Sequence, residues 1–156
     1  MKIGIILYSQ TGNTYSVAQK LQEKLIAKGH SVDLERLKAV GELRPGGKNI
    51  QFESISDIKQ YEAMVFGSPV QAFSLSSAMS KYLSQIVSLQ GKQVALLATQ
   101  QFPYPWMGGN RAIGQMKKIC ESKGAEVSGS GIINWSKSSR EQQIVEVVDK
   151  LGSLFS

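Results

Sequence analysis

A chain of 156 residues, 42% of them hydrophobic, is long enough to bury one good core and suggests a single domain over residues 1–156. No segment approaches the roughly 18 apolar residues of a membrane span, and the lone Cys120 excludes an intramolecular disulfide, as suits a reducing cytoplasm. The net charge of +6 and pI near 9.5 are spread over scattered lysines with no basic block, which favours a solvated basic surface over a nucleic-acid groove.

The chain opens on a strand, KIGIILY from Lys2 to Tyr8, rather than on a long apolar leader, so no secretory signal is expected. From Asn13 to Lys28, Val17, Leu21, Leu25 and Ile26 recur at helical spacing, and Gly29 ends the helix. Ser31 to Leu37 alternates as an edge-like strand does. A glycine-rich link, GELRPGGKN, leads to a short helical segment expected near Ser56 to Gln60. Ala63 to Gly67 predicts a third strand and Leu75 to Ile86 a helix. Lys92 to Thr99 predicts a fourth strand, Asn110 to Lys123 a helix, Glu126 to Trp135 a fifth strand, and Ser139 to Phe155 a closing helix.

Five strands alternating with helices predict an α/β chain: a doubly wound, five-stranded parallel sheet inside a three-layer α/β/α arrangement. Ligands of such folds bind at the carboxyl ends of the strands. Here those ends are Ser9–Thr14, Ser68–Phe73 and Thr99–Gly109, all rich in hydroxyls, amides, glycines or aromatic rings.

The first loop, Ser9-Gln10-Thr11-Gly12-Asn13-Thr14, stands between a strand and a helix N-terminus. Such a turn offers unpaired backbone N–H groups and the positive end of the helix dipole, and these suit an anion without any charged side chain. Gly12 permits close approach. Ser9, Thr11 and Thr14 offer hydroxyls, and Asn13 or Thr14 is expected to cap the helix. A polar turn with one cap would need only one or two of these residues, so a phosphate loop is the better reading. The sequence lacks both G-x-x-x-x-G-K followed by Ser or Thr and G-x-G-x-x-G, which sets aside a P-loop nucleotidase and a dinucleotide fold. Cys120 lies in a helical pattern away from the loops, against a cysteine phosphatase. A receiver domain would carry an aspartate where Gly67 stands.

The S-x-T-G-x-T pattern of Ser9 to Thr14, together with GSPV at Gly67 to Val70 after the third strand, resembles the flavin-binding loops of the flavodoxins. The resemblance spans nearly the whole chain. It implies strand order 2-1-3-4-5, bound FMN, the phosphate on Ser9–Thr14, and the isoalloxazine held by the second and third loops. In the second loop, Ser68, Pro69, Val70 and Gln71 would run along the ring. Phe73 either stacks on it or packs beneath the next helix, and Ser74 or Ser76 is an expected helix cap. The third loop, TQQFPYPWMGGN, interleaves Phe102, Tyr104 and Trp106 with two prolines, and such a concentration of rings suits a flat ligand or a partner. Tyr104 and Trp106 are the expected stacking rings, with Phe102 packed inward. Thr99, Gln100 and Gln101 would reach the ribityl chain or ring edge, and Gly109 opens the next helix.

The chain departs from the classical members of this family, which are acidic around the flavin. Its three loops carry no Asp or Glu, so a less negative second reduction potential is expected. The second loop also lacks the glycine at its tip with which many members flip a peptide. The resemblance implies an electron carrier that exchanges electrons with a redox partner protein or a small-molecule acceptor, as a monomer or weak homodimer. An NAD(P)H-dependent FMN quinone reductase of related fold is the alternative, and a flavin-free module that holds a protein partner is the third reading. One His and one Cys leave a transition-metal site without a ligand cluster.

Overall fold

The computed structural model describes all of residues 1–156. Three central strands, β1 (Lys2–Leu7), β5 (Ala63–Gln71) and β7 (Gln93–Gln100), carry near-continuous apolar runs. Only a strand covered on both faces supports such a run. Odd and even positions go to opposite sides, as the strand period of two requires. Ile3, Ile5, Leu7, Val65 and Leu97 meet Val17, Leu21, Ile144 and Val148 on one face. Ile6, Phe66 and Leu96 meet Met79, Leu83 and Met116 on the other. Helices α1 (Asn13–Ala27) and α4 (Arg140–Gly152) therefore cover one face, and α2 (Ser77–Gln85) and α3 (Gly109–Ser122) cover the other.

The sheet runs β2 (Ser31–Arg36), β1, β5, β7, β8 (Glu126–Asn134), all parallel, which is the expected 2-1-3-4-5 order of the five main strands. Register is direct across the centre, with Ile6 opposite Phe66 and Phe66 opposite Leu96. The three-layer α/β/α expectation therefore holds, and no helix is long and apolar enough to cross a membrane.

Three local features differ from expectation. The third strand continues four residues past Gly67 and turns back as β6 (Ser74–Leu75), an antiparallel partner added to the parallel sheet. The glycine-rich link carries its own two-stranded ribbon, β3 (Ala39–Gly41) against β4 (Ile50–Phe52). No helix forms at Ser56–Gln60. There the Asp57 carboxylate accepts the Lys59 N–H at 2.9 Å, so a side-chain turn replaces a nucleus too short to propagate.

Tyr61 precedes β5 at the amino end of the sheet and donates to Asp33 Oδ2 at 2.7 Å. Burial first, then that hydrogen bond and the Asp33 charge, raise its phenol from 10.0 to about 12. Burial also raises Tyr82. An acid with a raised folded-state pKa keeps its proton longer in the folded chain. The stabilisation is therefore whole below pH 10.0 and is lost as pH rises through about 12. The thermal midpoint is expected to fall across that window, and Tyr61→Phe to lessen the fall without abolishing it, since Tyr82 acts in the same direction. A midpoint profile identical in Tyr61→Phe and the parent would contradict this assignment.

Candidate flavin site

The first loop leaves β1 and turns into α1 through Gly12, whose φ of +94° lies in the left-handed region. A Cβ there would touch nothing within 4 Å, so glycine serves the backbone conformation and leaves the loop face open. The expected cap differs. Neither Asn13 nor Thr14 caps the helix; instead the Ser9 hydroxyl reaches forward and accepts from Gly12 N–H at 3.1 Å and Tyr15 N–H at 3.4 Å. No acceptor within the chain takes the N–H of Thr11, Asn13 or Thr14, so the loop keeps the unpaired donors that an anion needs. Thr14 itself is buried, its hydroxyl paired with that of Thr99 at 2.8 Å, a bond that fastens the first loop to the third.

A cation does stand at this loop, although none lies within it. Arg36, at the end of β2, donates from Nη2 to the Ser9 carbonyl at 2.9 Å and lies 5.0 Å from the Tyr15 ring centroid. The sequence reading missed it. Its only trace there was an arginine ending the second strand, and the β1–β2 register, Leu7 opposite Arg36, is what brings it to the loop.

A small cavity of about 100 Å³ marks where the three loops meet. Gln10, Thr11 and Asn13 come from the first loop, Pro69 and Val70 from the second, and Thr99, Gln100 and Gln101 from the third. Ligand pockets usually run from roughly 300 Å³ upward, so this cavity suits a phosphate-sized or linear group, and a flat ring system would extend beyond it. Ser68 and Gln71 turn elsewhere. The Ser68 hydroxyl is fully buried against Ser76 Oγ at 2.7 Å. Gln71 bridges the Leu43 carbonyl and the Ser77 N–H. Ser76, as expected, caps α2 by accepting from Met79 N–H at 3.2 Å.

The tip of the second loop is a two-residue hairpin in which Ala72 and Phe73 both take positive φ, 49° and 62°. Hairpin turns of this hand normally use Asn or Gly, so two ordinary side chains here store backbone strain. Phe73 is half exposed and stacks on Phe102 with centroids 5.0 Å apart and planes within 19°. Phe102 is therefore not packed inward: the bends and turns of Gln101–Gly108 leave it at the surface, 43% exposed. Tyr104 and Trp106 form a second stack, 5.7 Å and 6° apart, with Lys137 Nζ 5.1 Å from the Tyr104 centroid. Gly108, at φ +120°, lets the third loop close on the second. A Cβ there would sit 2.6 Å from Val70 Cγ1 and 2.8 Å from Phe73 Cα. Gly109 is buried against Gln100 and Ile132 as α3 begins.

The aromatic loop hangs from one amide. The two N–H groups of Gln100 Nε2 are shared among three acceptors, the carbonyls of Phe102 at 3.0 Å and Tyr104 at 2.5 Å and Asn134 Oδ1 at 2.6 Å. Asn134 in turn donates from Nδ2 to Gln143 Oε1 at 3.1 Å. Gln100 Oε1 is buried without a donor, an acceptor on a residue that also lines the cavity. These features fit a bound flavin: open N–H donors and an unmatched acceptor on residues of the loops that meet at one cavity, and exposed rings farther along the second and third of those loops. The one free thiol, Cys120, is buried far from the loops in sequence, and burial pushes it up to about 12, so it supplies no nucleophile near neutral pH. Asn134→Ala is expected to cost about 1–3 kcal/mol, because it strips a buried partner from Gln100 and Gln143. It should also speed proteolysis within Gln101–Met107; unaltered cleavage there would contradict the clamp.

The family model described as flavodoxin matches residues 5–146. Among solved structures, a Streptococcus pneumoniae flavodoxin superposes with a TM-score of 0.72 at 19% identity, covering 99% of this chain and 97% of its own. The two-electron reduced flavodoxin of Megasphaera elsdenii gives 0.68 at 21% identity, over 95% of this chain and 98% of its own. A Lactobacillus acidophilus flavoprotein in complex with FMN gives 0.63 at 19% identity, over 94% and 97%. No curated protein matches in sequence. With the family model spanning most of the chain and three strand-end loops closing on one cavity, this chain belongs to the flavodoxin family, flavin-dependent proteins that transfer electrons to redox partners.

Proposed function

We propose that the flavin is FMN and that its phosphate rests on Thr11–Thr14. The observation that carries this reading is the set of unpaired N–H groups at the α1 N-terminus, next to a cavity lined by all three loops. A phosphate monoester there meets backbone donors, the Thr11 hydroxyl, the helix dipole and the positive field of Arg36. Pro69, Val70, Gln100 and Gln101 line the way outward. FMN held at this place supplies reversible one- and two-electron transfer.

The protein's own contribution is orientation, water exclusion and field. Phe73, Phe102, Tyr104 and Trp106 offer flat apolar faces. A ring sandwiched between two others needs about 3.5 Å on each side, more than the 5.0 Å of the Phe73–Phe102 stack allows. The hairpin carrying Phe73 must therefore shift, or the flavin must lie on an outer ring face. Added negative charge at the site meets Arg36 beside the first loop and Lys137 beside Tyr104 and no loop carboxylate, which raises the potential of the second electron relative to an acidic surround. The family assignment favours a carrier over a quinone reductase. We place it in the cytoplasm, as a monomer or weak homodimer serving a redox partner protein or a small-molecule acceptor.

Flavin fluorescence titration tests the reading. FMN is expected to bind well over tenfold more tightly than riboflavin. Gly12→Ala is expected to weaken FMN by about tenfold, because it strains the left-handed turn, while riboflavin changes little. Equal affinity for FMN and riboflavin would remove the phosphate assignment. In a potentiometric titration of the bound flavin, a second-electron potential as low as that of an acidic flavodoxin would remove the electrostatic one.

A further inference from the structure

Away from the three loops' cavity, the covering layer of α2 and α3 holds a groove of about 560 Å³. The β3–β4 link closes its third side. Its lining is almost wholly polar: only Leu75 and Ile119 are apolar, and no Asp or Glu takes part. Three lysines from three separate elements converge there, Lys48 from the link, Lys81 from α2 and Lys118 from α3. None makes an ion pair, and none donates a hydrogen bond within the chain. The nearby carboxylate of Glu42 is already held by Arg44 at 2.8 Å and by Asn49.

Helical spacing explains the convergence. Ser77, Ser80, Lys81 and Ser84 share one face of α2, and Gln115, Lys118 and Ile119 share the facing side of α3. Gln115 is fixed by its carbonyl oxygen, which accepts from the Ser74 hydroxyl at 2.9 Å and the Leu75 N–H at 2.8 Å. Its amide hydrogens are left unused, and so is the Ser80 hydroxyl. The groove is therefore lined by three lysines, an amide with free donors and a free hydroxyl, with no carboxylate among its lining residues. A cleft of one sign focuses its field, and an anion is the ligand that relieves it.

We propose that this groove binds a multiply charged phosphate anion, a pyrophosphate or longer polyphosphate group, through Lys48, Lys81 and Lys118. Three cations call for several negative charges, more than a single carboxylate supplies. A protein partner fits less well, because interface cores favour aromatic residues and arginine and are depleted in lysine and serine. No aromatic ring lines the groove to stack on a base, so the phosphates and not a nucleoside are recognised. Ser74 and Leu75 directly follow Phe73, so an anion here would lie behind the hairpin that carries this ring.

The test is an amide NMR titration of the full chain with inorganic pyrophosphate at low salt, run with and without saturating FMN. Saturable shifts are expected at Ser80, Lys81, Gln115 and Lys118 in both samples, with affinity lowered about tenfold or more by Lys81→Gln/Lys118→Gln. ADP is titrated in parallel. Affinity no greater than that of pyrophosphate supports recognition of the phosphates alone, and tighter binding of ADP would overturn it. No saturable shift at millimolar pyrophosphate, unchanged affinity in the double variant, or shifts confined to Ser9–Thr14 would overturn the proposal. Flavin fluorescence is read separately, so failure of the FMN assignment is distinguishable from failure of this one.

Discussion

Burial of β1, β5 and β7 on both faces is the constraint from which the site follows. A strand with no solvent face has no polar side to show, and parallel crossovers through helices are the connections that keep both faces covered. Parallel strands end at one edge, so their three following loops meet whatever their separation in sequence. The same crossovers begin α1 and α3 at that edge, with the N–H ends of both helices toward it. An anion-seeking loop and an aromatic loop become neighbours for purely topological reasons.

Within that arrangement a few buried polar contacts tie the loops to one another and to the sheet. The Thr14–Thr99 hydroxyl pair ties the first loop to the third at 2.8 Å, in a place too dry for either group to remain unpaired. Gln100 gathers two loop carbonyls and Asn134, and through Gln143 the clamp extends to α4. Gly108 lets the third loop lie against the backbone of the strained hairpin, where any larger residue would push Phe73 away. The aromatic rings are exposed, yet the backbone beneath them is held on several sides.

Charge follows a different logic. The positive groups at the flavin loops, Arg36 at the end of β2 and Lys137 in the turn before α4, come from separate parts of the chain, and so do the lysines of the outer groove. Neither cluster appears as a run in the chain. A basic protein with scattered lysines is thus compatible with two concentrated positive fields, because helix faces and strand ends collect residues that the chain keeps apart.

Local chemistry was legible from residues alone. Strand runs with apolar residues on both parities, helical spacing at Val17–Leu25, the Gly12 turn and the row of small polar residues each depend on neighbours within a few positions, and the folded chain retains them all. What the sequence by itself determined was the order of the five main strands and the four covering helices along the chain, the parallel sheet and the existence of three polar or aromatic loops at its edge. The tertiary structure alone decided that Arg36 reaches Ser9, that Phe102 meets Phe73, that Ser68 and Gln71 turn away from the cavity, and that a hairpin adds β6. The Arg36–Ser9 and Phe73–Phe102 contacts depend on strand order and register, which join residues 27 positions apart in the case of Arg36 and Ser9, and no periodicity within one segment encodes such a distance.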